Sequence, residues 1–344
     1  MTDAAPLDAL GWNNDVEDRL RTATDSGLVA GRIVRVDRGE VDVVDATGTL
    51  VRATMTTAAK DCVAGDWVGI DPVAKRVEAV APRATAFVRR SARGSKTAQT
   101  LAANMDVVLV CQALDPGLNI RRLERELVLA FQSGAKPVVV LSKTDVVTPD
   151  VTAAAVAAAR VAAPGCEVIA ISNRTRDGLD QLLALVQPGM TFALLGASGV
   201  GKSTLVNTVA GEPVQLVAEI RAGDGKGKHT TTAARLIRLP DGRLLLDTPG
   251  VRALALWESW EGLALAFSDV DGFSESCRFA DCFHEDEPGC AVMAAAAAGQ
   301  LDPERLASWR HLREEMDQLD GALIAQTRKR ERTGRPPPPP PRRH

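Results

Sequence analysis

Residues 191–210 read TFALLGASGVGKSTLVNTVA. The apolar run TFALL has the look of a buried strand, and LVNTVAG beyond the polar stretch is compatible with helix. Between them GASGVGKST, residues 196–204, matches G-x-x-x-x-G-K-[ST] in the strand–loop–helix setting that the motif requires. Such a loop aims its backbone N–H groups, together with those of the helix N-terminus, at a phosphate. Gly196 and Gly201 permit the bend and the close approach of backbone to ligand, while Ala197, Ser198, Gly199, Val200 and Thr204 complete the cradle. Lys202 supplies a point charge for β- and γ-phosphates, and Ser203 a hydroxyl for Mg²⁺. A glycine-rich turn with no ligand is the rival reading, and the strand context argues against it.

Four more apolar runs flank this one: DVVLVCQAL, PVVVLSK, CEVIAIS and RLLLDTPG, each ending in a polar or glycine-rich loop. Buried parallel strands have this texture, and ligands bind at their carboxyl ends. Helical stretches, such as 121–132 and 177–186, lie between them, which predicts one doubly wound α/β domain over 97–256. Asp247 and Gly250 in DTPG stand where a carboxylate would hold Mg²⁺ through water and a glycine would sense the γ-phosphate. Between the phosphate loop and DTPG, RAGDGKGKHTTT (221–232) is too glycine-rich to pack and reads as a switch that a threonine hydroxyl orders on Mg²⁺ and phosphate. Thr230, Thr231 and Thr232 are equivalent candidates. Ser142, Lys143, Thr144 and Asp145 resemble the N-K-x-D loop that reads guanine, with Asp145 accepting from N1 and N2 and the Lys143 stem over the ring. Ser172 and Asn173 occupy the place of the companion Ser-Ala loop. The base-reading loops precede the phosphate loop, the reverse of the ordinary order. Loops at the ends of neighbouring strands converge whatever their chain order, so permuted connections preserve the site.

Outside this domain the texture differs. From Leu28 to about Val88, GRIVRV, EVDVVDA, TLVRATM and DWVGID alternate apolar and polar residues with glycines near the breaks. Five or so short strands fit a small barrel of the oligonucleotide-binding type over 26–90, and other small barrels fit the same pattern. Arg32, Arg35, Arg38 and Arg52 could line an RNA-facing surface of it, although exposed strand arginines are also ordinary. Residues 1–25 read as a flexible N-terminus. Arg83, Arg89, Arg90, Arg93 and Lys96 make a basic run with no acid among them, either a nucleic-acid patch or a solvated linker. Residues 257–322 read as helical, interrupted by Cys277, Cys282, His284 and Cys290. Three thiolates and one imidazole in C-x4-C-x-H-x5-C spacing supply the four ligands of a closed, structural Zn²⁺ site. Cys62, Cys111 and Cys166 lie among apolar neighbours and read as inert core residues. The end of the chain, 323–344, reads as a basic polyproline tail, extended and unable to build a core.

The charge balance narrows the partners. The 344-residue chain carries a formal −3, and residues 328–344 alone carry +6, which leaves −9 for residues 1–327. An acidic body meets nucleic acid through local patches and not through its overall charge. No apolar run approaches the ~20 residues that span a bilayer, and the first residues lack the pattern of a secretory signal. A cytoplasmic protein with no membrane partner is expected.

Together these features resemble the circularly permuted, small-ribosomal-subunit-dependent GTPase family (RsgA). The likeness runs from about Leu28 to Met316 and includes LAANMD (101–106), IRRLERELVLAFQSGAKPVVVLSKTD (120–145), GKHTTT (227–232) and CRFADCFHEDEPGCAV (277–292). The resemblance implies an oligonucleotide-binding barrel, a permuted GTPase domain and a zinc-bearing helical domain. It also implies GTP and GDP as substrate and product, Mg²⁺ with the nucleotide, and a monomer acting on the small (30S) subunit and its rRNA, with hydrolysis stimulated there to trigger release. Two departures stand out. Ser142 replaces an asparagine and should lose the amide that braces neighbouring loops, and Ser172-Asn173 departs from Ser-Ala. Val251 follows DTPG where many GTPases have the glutamine that orients water. His229 is the natural substitute, alongside Lys202, Asp247 and Gly250 in the hydrolytic set, and a purely structural contact is its equal alternative. Two rival functions differ in class: a P-loop ATPase, which needs residues 142–145 to be an accidental turn, and a nucleotide-gated RNA-binding module with little catalytic role.

Overall fold

A computed structural model of the chain describes residues 6–23, 27–37, 39–57, 59–90, 98–211, 213–214, 234–248, 256 and 259–333, with the backbone alone at 90 and over 322–333. His229, Thr230, Thr231, Thr232, Gly250 and Val251 lie outside these residues, as do Arg38, Arg93, Lys96 and the tail from 334.

Strands β1 (Val29–Asp37), β2 (Glu40–Asp45), β3 (Leu50–Met55), β4 (Trp67–Asp71) and β5 (Arg76–Val80) follow the alternating segments. They pair in the order β1-β2-β3-β5-β4, and β4 returns to β1, which closes a five-stranded barrel. Its interior is filled by Ile33, Val41, Val43, Ala53, Val68, Ile70 and Val77, all buried.

Of the barrel arginines described, Arg32 is withdrawn from the surface, while Arg35 and Arg52 stay partly exposed in ion pairs. Arg32 is buried; it donates to the carbonyls of Leu10 and Asn104, the latter at 2.8 Å, and its guanidinium lies 4.8 Å from the Trp67 ring centroid. Burial lowers its pKa to about 10. Arg35 pairs with Asp37, and Arg52 with Asp37, Glu40 and Asp42. The N-terminal stretch is not loose where it is described. A short 3-10 turn (Asp8–Leu10) and α1 (Asn14–Ala23) bury Leu7, Leu10, Val16 and Leu20 in the main core.

Two members of the basic run, Arg83 and Arg89, make side-chain contacts within the described structure. Arg83 forms a two-pronged ion pair with the buried Asp66 at 2.8 Å and donates to the Asp61 carbonyl. The chain then enters β6 (Ala86–Arg90), which pairs antiparallel with β7 (Ala98–Ala103), where Arg89 contacts Gln99.

The α/β region contains β8 (Val107–Ala113), β9 (Lys136–Ser142), β10 (Glu167–Ala170), β11 (Thr191–Leu195), β12 (Arg235–Arg238) and β13 (Leu244–Asp247). The order is β10-β9-β8-β11-β13-β12, parallel except for β12, which pairs antiparallel with β13 and meets β1 of the barrel at Arg235 and Arg35. Successive residues of the central strands feed opposite faces. Val108, Val110, Val139 and Leu141 join the main core; Val107, Leu109, Val138 and Val140 join a second one. Burial on both faces is why these strands read as unbroken apolar runs. Helices α2 (Ile120–Gln132), α3 (Pro149–Ala162), α4 (Leu179–Leu185) and α5 (Lys202–Ala210) connect them. Asn119 caps α2 by accepting from the Arg122 N–H, and Leu123, Leu127 and Val128 form its buried stripe.

Beyond the sheet come α6 (Trp260–Ala266), α7 (Ser268–Ser274), α8 (Ala291–Ala297) and α9 (Pro303–Thr333). Helix α6 lies close on α2: the Gly262 N–H donates to Gln132 Oε1 at 2.9 Å. Helix α9 runs through 323–333, where the sequence reads as the start of an extended tail. ALIAQTRKRERT contains only helix-tolerant residues, and Gly and Pro begin at 334 and 336. Among the described residues no helix is long and apolar enough to cross a membrane.

Candidate nucleotide site and cysteine–histidine cluster

The parallel strands deliver four loops to one edge of the sheet. The phosphate loop leaves β11, Ser142–Asp145 leave β9, Ser172–Asn173 follow β10, and Asp247 ends β13. In the phosphate loop Gly196, Gly199 and Gly201 have φ of +140°, +80° and +91°, left-handed values that a side chain resists. At Gly196 a Cβ would sit 2.4 Å from the Cys111 carbonyl oxygen of the neighbouring β8, so the loop can be seated only with glycine there. Ser198 and Gly199 are exposed at the tip, Val200 is buried beneath it, and Ser203 and Thr204 stand in the first turn of α5. The Lys202 ammonium donates to the carbonyls of Gly196 at 2.7 Å and Ala197 at 2.5 Å, folded back along the loop where a phosphate would compete for it.

The loops of β9 and β10 back the phosphate loop. Ser142 is buried, and its hydroxyl oxygen is 2.5 Å from the Val200 carbonyl oxygen and 3.2 Å from that of Gln112. Asn173 Nδ2 donates to the next carbonyl, Gly201, at 3.3 Å. The expected loss of bracing at Ser142 is therefore not observed: the serine is short, but Val200 comes within its reach. Lys143 adopts φ +63°, and Thr144 opens a 3-10 turn that presents Asp145. The buried Ser172 hydroxyl donates to Asp145 Oδ1 at 2.8 Å and accepts from the Thr175 N–H at 3.0 Å. Arg174 reaches Asp145 Oδ2 at 2.9 Å from a largely exposed position. The Ser172 hydrogen bond above all holds Asp145 below the usual carboxylate range. Thus Asp145, Ser172, Asn173, Gly201 and Lys202 form one continuous chain of contacts and covalent neighbours. A carboxylate able to accept from a base edge stands at one end, and an ammonium and helix N-terminus at the other. Ser203 and the buried Asp247 offer the hard oxygen ligands that suit Mg²⁺.

Sequence reasoning passed over Gln112 and Glu126. Gln112 is buried at the end of β8, and its Nε2 donates to Glu126 Oε2 on α2 at 2.7 Å. Burial pushes the Glu126 carboxyl up to about 7, against the opposing pulls of Gln112, Arg122 and Lys202. The available signal was a single polar residue ending the apolar run VVLVC.

Cys277, Cys282, His284 and Cys290 gather with their ligand atoms all within 4.8 Å of one another. Cys277 Sγ lies 3.6 Å from His284 Nδ1 and 3.9 Å from Cys290 Sγ, and Cys290 Sγ is 3.4 Å from Nδ1. A Zn²⁺ tetrahedron with ordinary bond lengths has edges of about 3.8 Å between sulfurs and about 3.6 Å between sulfur and nitrogen. The donor set fits zinc, and 3.9 Å is far beyond a disulfide bond. Backbone N–H groups at the start of α8 reinforce the sulfurs: Ala291 donates to Cys277 and Met293 to Cys290, both at 3.4 Å. Such bonds favour thiolate. Glu287 accepts from the Phe283 and Glu285 N–H groups, which hold its carboxyl down at about 2, and Trp309 packs 5.1 Å from the His284 ring. Elsewhere Cys62 and Cys111 are buried and Cys166 is half-buried; burial pushes their thiols up to about 12, 12 and 11, as befits inert residues.

Comparison with known proteins adds an independent line. Residues 80–257 match the family model described as RsgA GTPase. A protein of Streptomyces avermitilis named small ribosomal subunit biogenesis GTPase RsgA is 43% identical over 336 residues, covering 94% of this chain and 90% of that one. A protein of Syntrophotalea carbinolica with the same name is 39% identical, covering 97% and 98%. Among solved structures, YjeQ from Thermotoga maritima is similar in fold at a TM-score of 0.64 and 24% identity, covering 83% of this chain and 98% of that one. YloQ, described as a circularly permuted GTPase, gives 0.62 at 22% identity, covering 85% and 96%.

Proposed function

Because the chain belongs to the RsgA GTPase family, we propose that it hydrolyses GTP as a timer in the biogenesis of the small ribosomal subunit. The observation that carries this reading is the line of hydrogen bonds and covalent neighbours from Asp145 through Ser172 and Asn173 to Gly201 and Lys202. A purine reader and a phosphate cradle so joined select a guanine nucleotide. On this reading Asp145 accepts from guanine N1 and N2 once Arg174 gives way. Loop N–H groups from Gly196 to Thr204 hold the phosphates, and Lys202 leaves the Gly196 and Ala197 carbonyls to neutralise charge on the transferred phosphoryl group. Mg²⁺ bound with the nucleotide supplies further charge neutralisation, and Ser203 and Asp247 are the side chains that would hold it. His229 positions the attacking water and one of Thr230–Thr232 closes the switch. The Cys277, Cys282, His284 and Cys290 set holds one structural Zn²⁺. The protein acts as a monomer in the cytoplasm, binds rRNA of the 30S subunit, and leaves when GTP is spent.

Two measurements test this. Turnover of the four nucleoside triphosphates with and without small subunits should favour GTP and rise with subunits; equal rates in both would refute the coupling. Xanthine carries oxygen where guanine carries the 2-amino group, so Asp145→Asn should move preference from GDP to xanthosine diphosphate. Unaltered GDP preference would remove Asp145 from the base-reading role.

A further inference from the structure

Two successive carbonyls of the phosphate loop are held from behind by side chains of two different loops. Ser142 takes the Val200 oxygen and Asn173 takes the Gly201 oxygen. A hydroxyl has one proton, so Ser142 cannot donate to Val200 and Gln112 together, and it has nothing left for Gly201. The second brace has to come from elsewhere. Asn173 supplies it, and the orientation of its amide follows, because only Nδ2 can face a carbonyl oxygen. Gly201 is the sensitive position: it has φ +91°, it precedes Lys202, and a Cβ there would stand 3.3 Å from Asn173 Nδ2. The other end of the amide is telling. Asn173 Oδ1 is buried and has no hydrogen-bond partner among the described residues, an arrangement a fold keeps at a cost unless a donor is to arrive.

We propose that Asn173 is a nucleotide-positioning residue, whose carboxamide shares with Ser142 the bracing of the phosphate loop and holds Oδ1 ready for a donor that comes with the bound nucleotide. This rests on the nucleotide-site reading above, but not on the choice of base. Ser142 and Asn173 form one unit spread over two loops, and an asparagine at 142 could reach past Val200 to do the work of both. The brace sets where the loop N–H groups point, so its loss weakens every nucleotide alike. Loss of Asp145, by contrast, alters which base is preferred.

The experiment measures dissociation constants for GDP and ADP with the full chain. Asn173→Ala, and Asn173→Asp, which keeps the shape but removes the donor, should each weaken both nucleotides about tenfold with the GDP-to-ADP ratio unchanged. The melting temperature without nucleotide should stay within about two degrees of wild type. Adding Ser142→Asn to Asn173→Ala should restore affinity to within about threefold. Affinities within twofold of wild type for Asn173→Ala and Asn173→Asp would overturn the proposal, as would a loss confined to GDP, or a loss that Ser142→Asn leaves in place. If instead wild type prefers ADP while the Asn173 effects hold, the guanine reading fails and the brace stands.

Discussion

Arg305→Met should destabilise the protein in a way that depends on pH, because the arginine neutralises a carboxylate that has nowhere else to go. Arg305 lies on α9 with its side chain 3% exposed and donates to Glu124 on α2, to Asp269 on α7 and to the carbonyls of Ala162 and Ala266, at 2.6–3.0 Å. Its guanidinium stands 4.3 Å from the Phe267 ring centroid. Glu124 is 1% exposed, and burial already raises its pKa above the ordinary 4.5. Methionine fills the volume but leaves Glu124 with Ser308 alone among its two observed side-chain partners. Breaking a buried pair by removing one member costs about 3–5 kcal/mol. The carboxyl can escape by taking a proton, and for a group of ordinary pKa 4.5 this costs about 3 kcal/mol at pH 7 but under about 1 kcal/mol at pH 5. The sign follows: a carboxyl whose folded pKa is raised contributes full stability at low pH and loses it as pH climbs above the unfolded value. Two carbonyls without their donor add about 1–3 kcal/mol each at any pH. Urea unfolding should therefore give a deficit at pH 7 that shrinks by about 2 kcal/mol at pH 5, and Arg305→Met with Glu124→Gln should recover about that amount at pH 7. An equal deficit at both pH values, or no recovery in the double variant, would show that Glu124 is not the seat of the cost.

Three further outcomes are expected. Gly196→Ala should abolish GDP binding by calorimetry and lower the melting temperature, since its Cβ must displace either the loop or the Cys111 carbonyl 2.4 Å away; binding within tenfold of wild type would mean the loop is not seated as described. Glu126→Gln keeps the acceptor for Gln112 but removes a carboxyl raised to about 7, so it should leave stability unchanged at pH 4 and raise it by up to about 3 kcal/mol at pH 8. A gain equal at both pH values would contradict the burial argument. Cys290→Ser should reduce zinc from one to none per chain by elemental analysis and lower the unfolding temperature of the helical region, with a similar drop when a chelator strips the wild type; metal-free wild-type protein of unchanged stability would leave the cluster without a structural role.

The fold was legible where burial is uniform and obscure where cover comes from distant chain. Strands β8, β9, β10, β11 and β13 are apolar on both faces and read directly. Strand β12, with the sequence RLIR, is a short antiparallel strand between β13 and the barrel, and its terminal arginines hide it. Alternation along GRIVRV places Arg32 correctly outside the barrel, yet that outside is covered by Leu10 and Asn104. No local pattern announces a lid that arrives from 22 and 72 residues away. The same holds for Arg83, which reads as part of a basic run and is in fact committed to Asp66. Counting arginines overstates a binding surface wherever buried acids have already claimed them.

The nucleotide site shows the converse: its loops were legible, and its departures from the usual motifs were not. Taken singly, serine for asparagine at 142 reads as a lost brace and asparagine at 173 as an unrelated variation. In space they lie on adjacent carbonyls, 2.5 Å and 3.3 Å from Val200 and Gly201. On the bracing proposal, what matters is the number of donors behind the phosphate loop and not which strand end supplies them. A motif is a record of residues at fixed spacing along the chain, whereas a brace is a distance between atoms, and a permuted sheet lets the two part company. Weak motifs at converging strand ends are therefore better judged by the sum of donors and acceptors they bring to one edge than by the match of each to its own pattern.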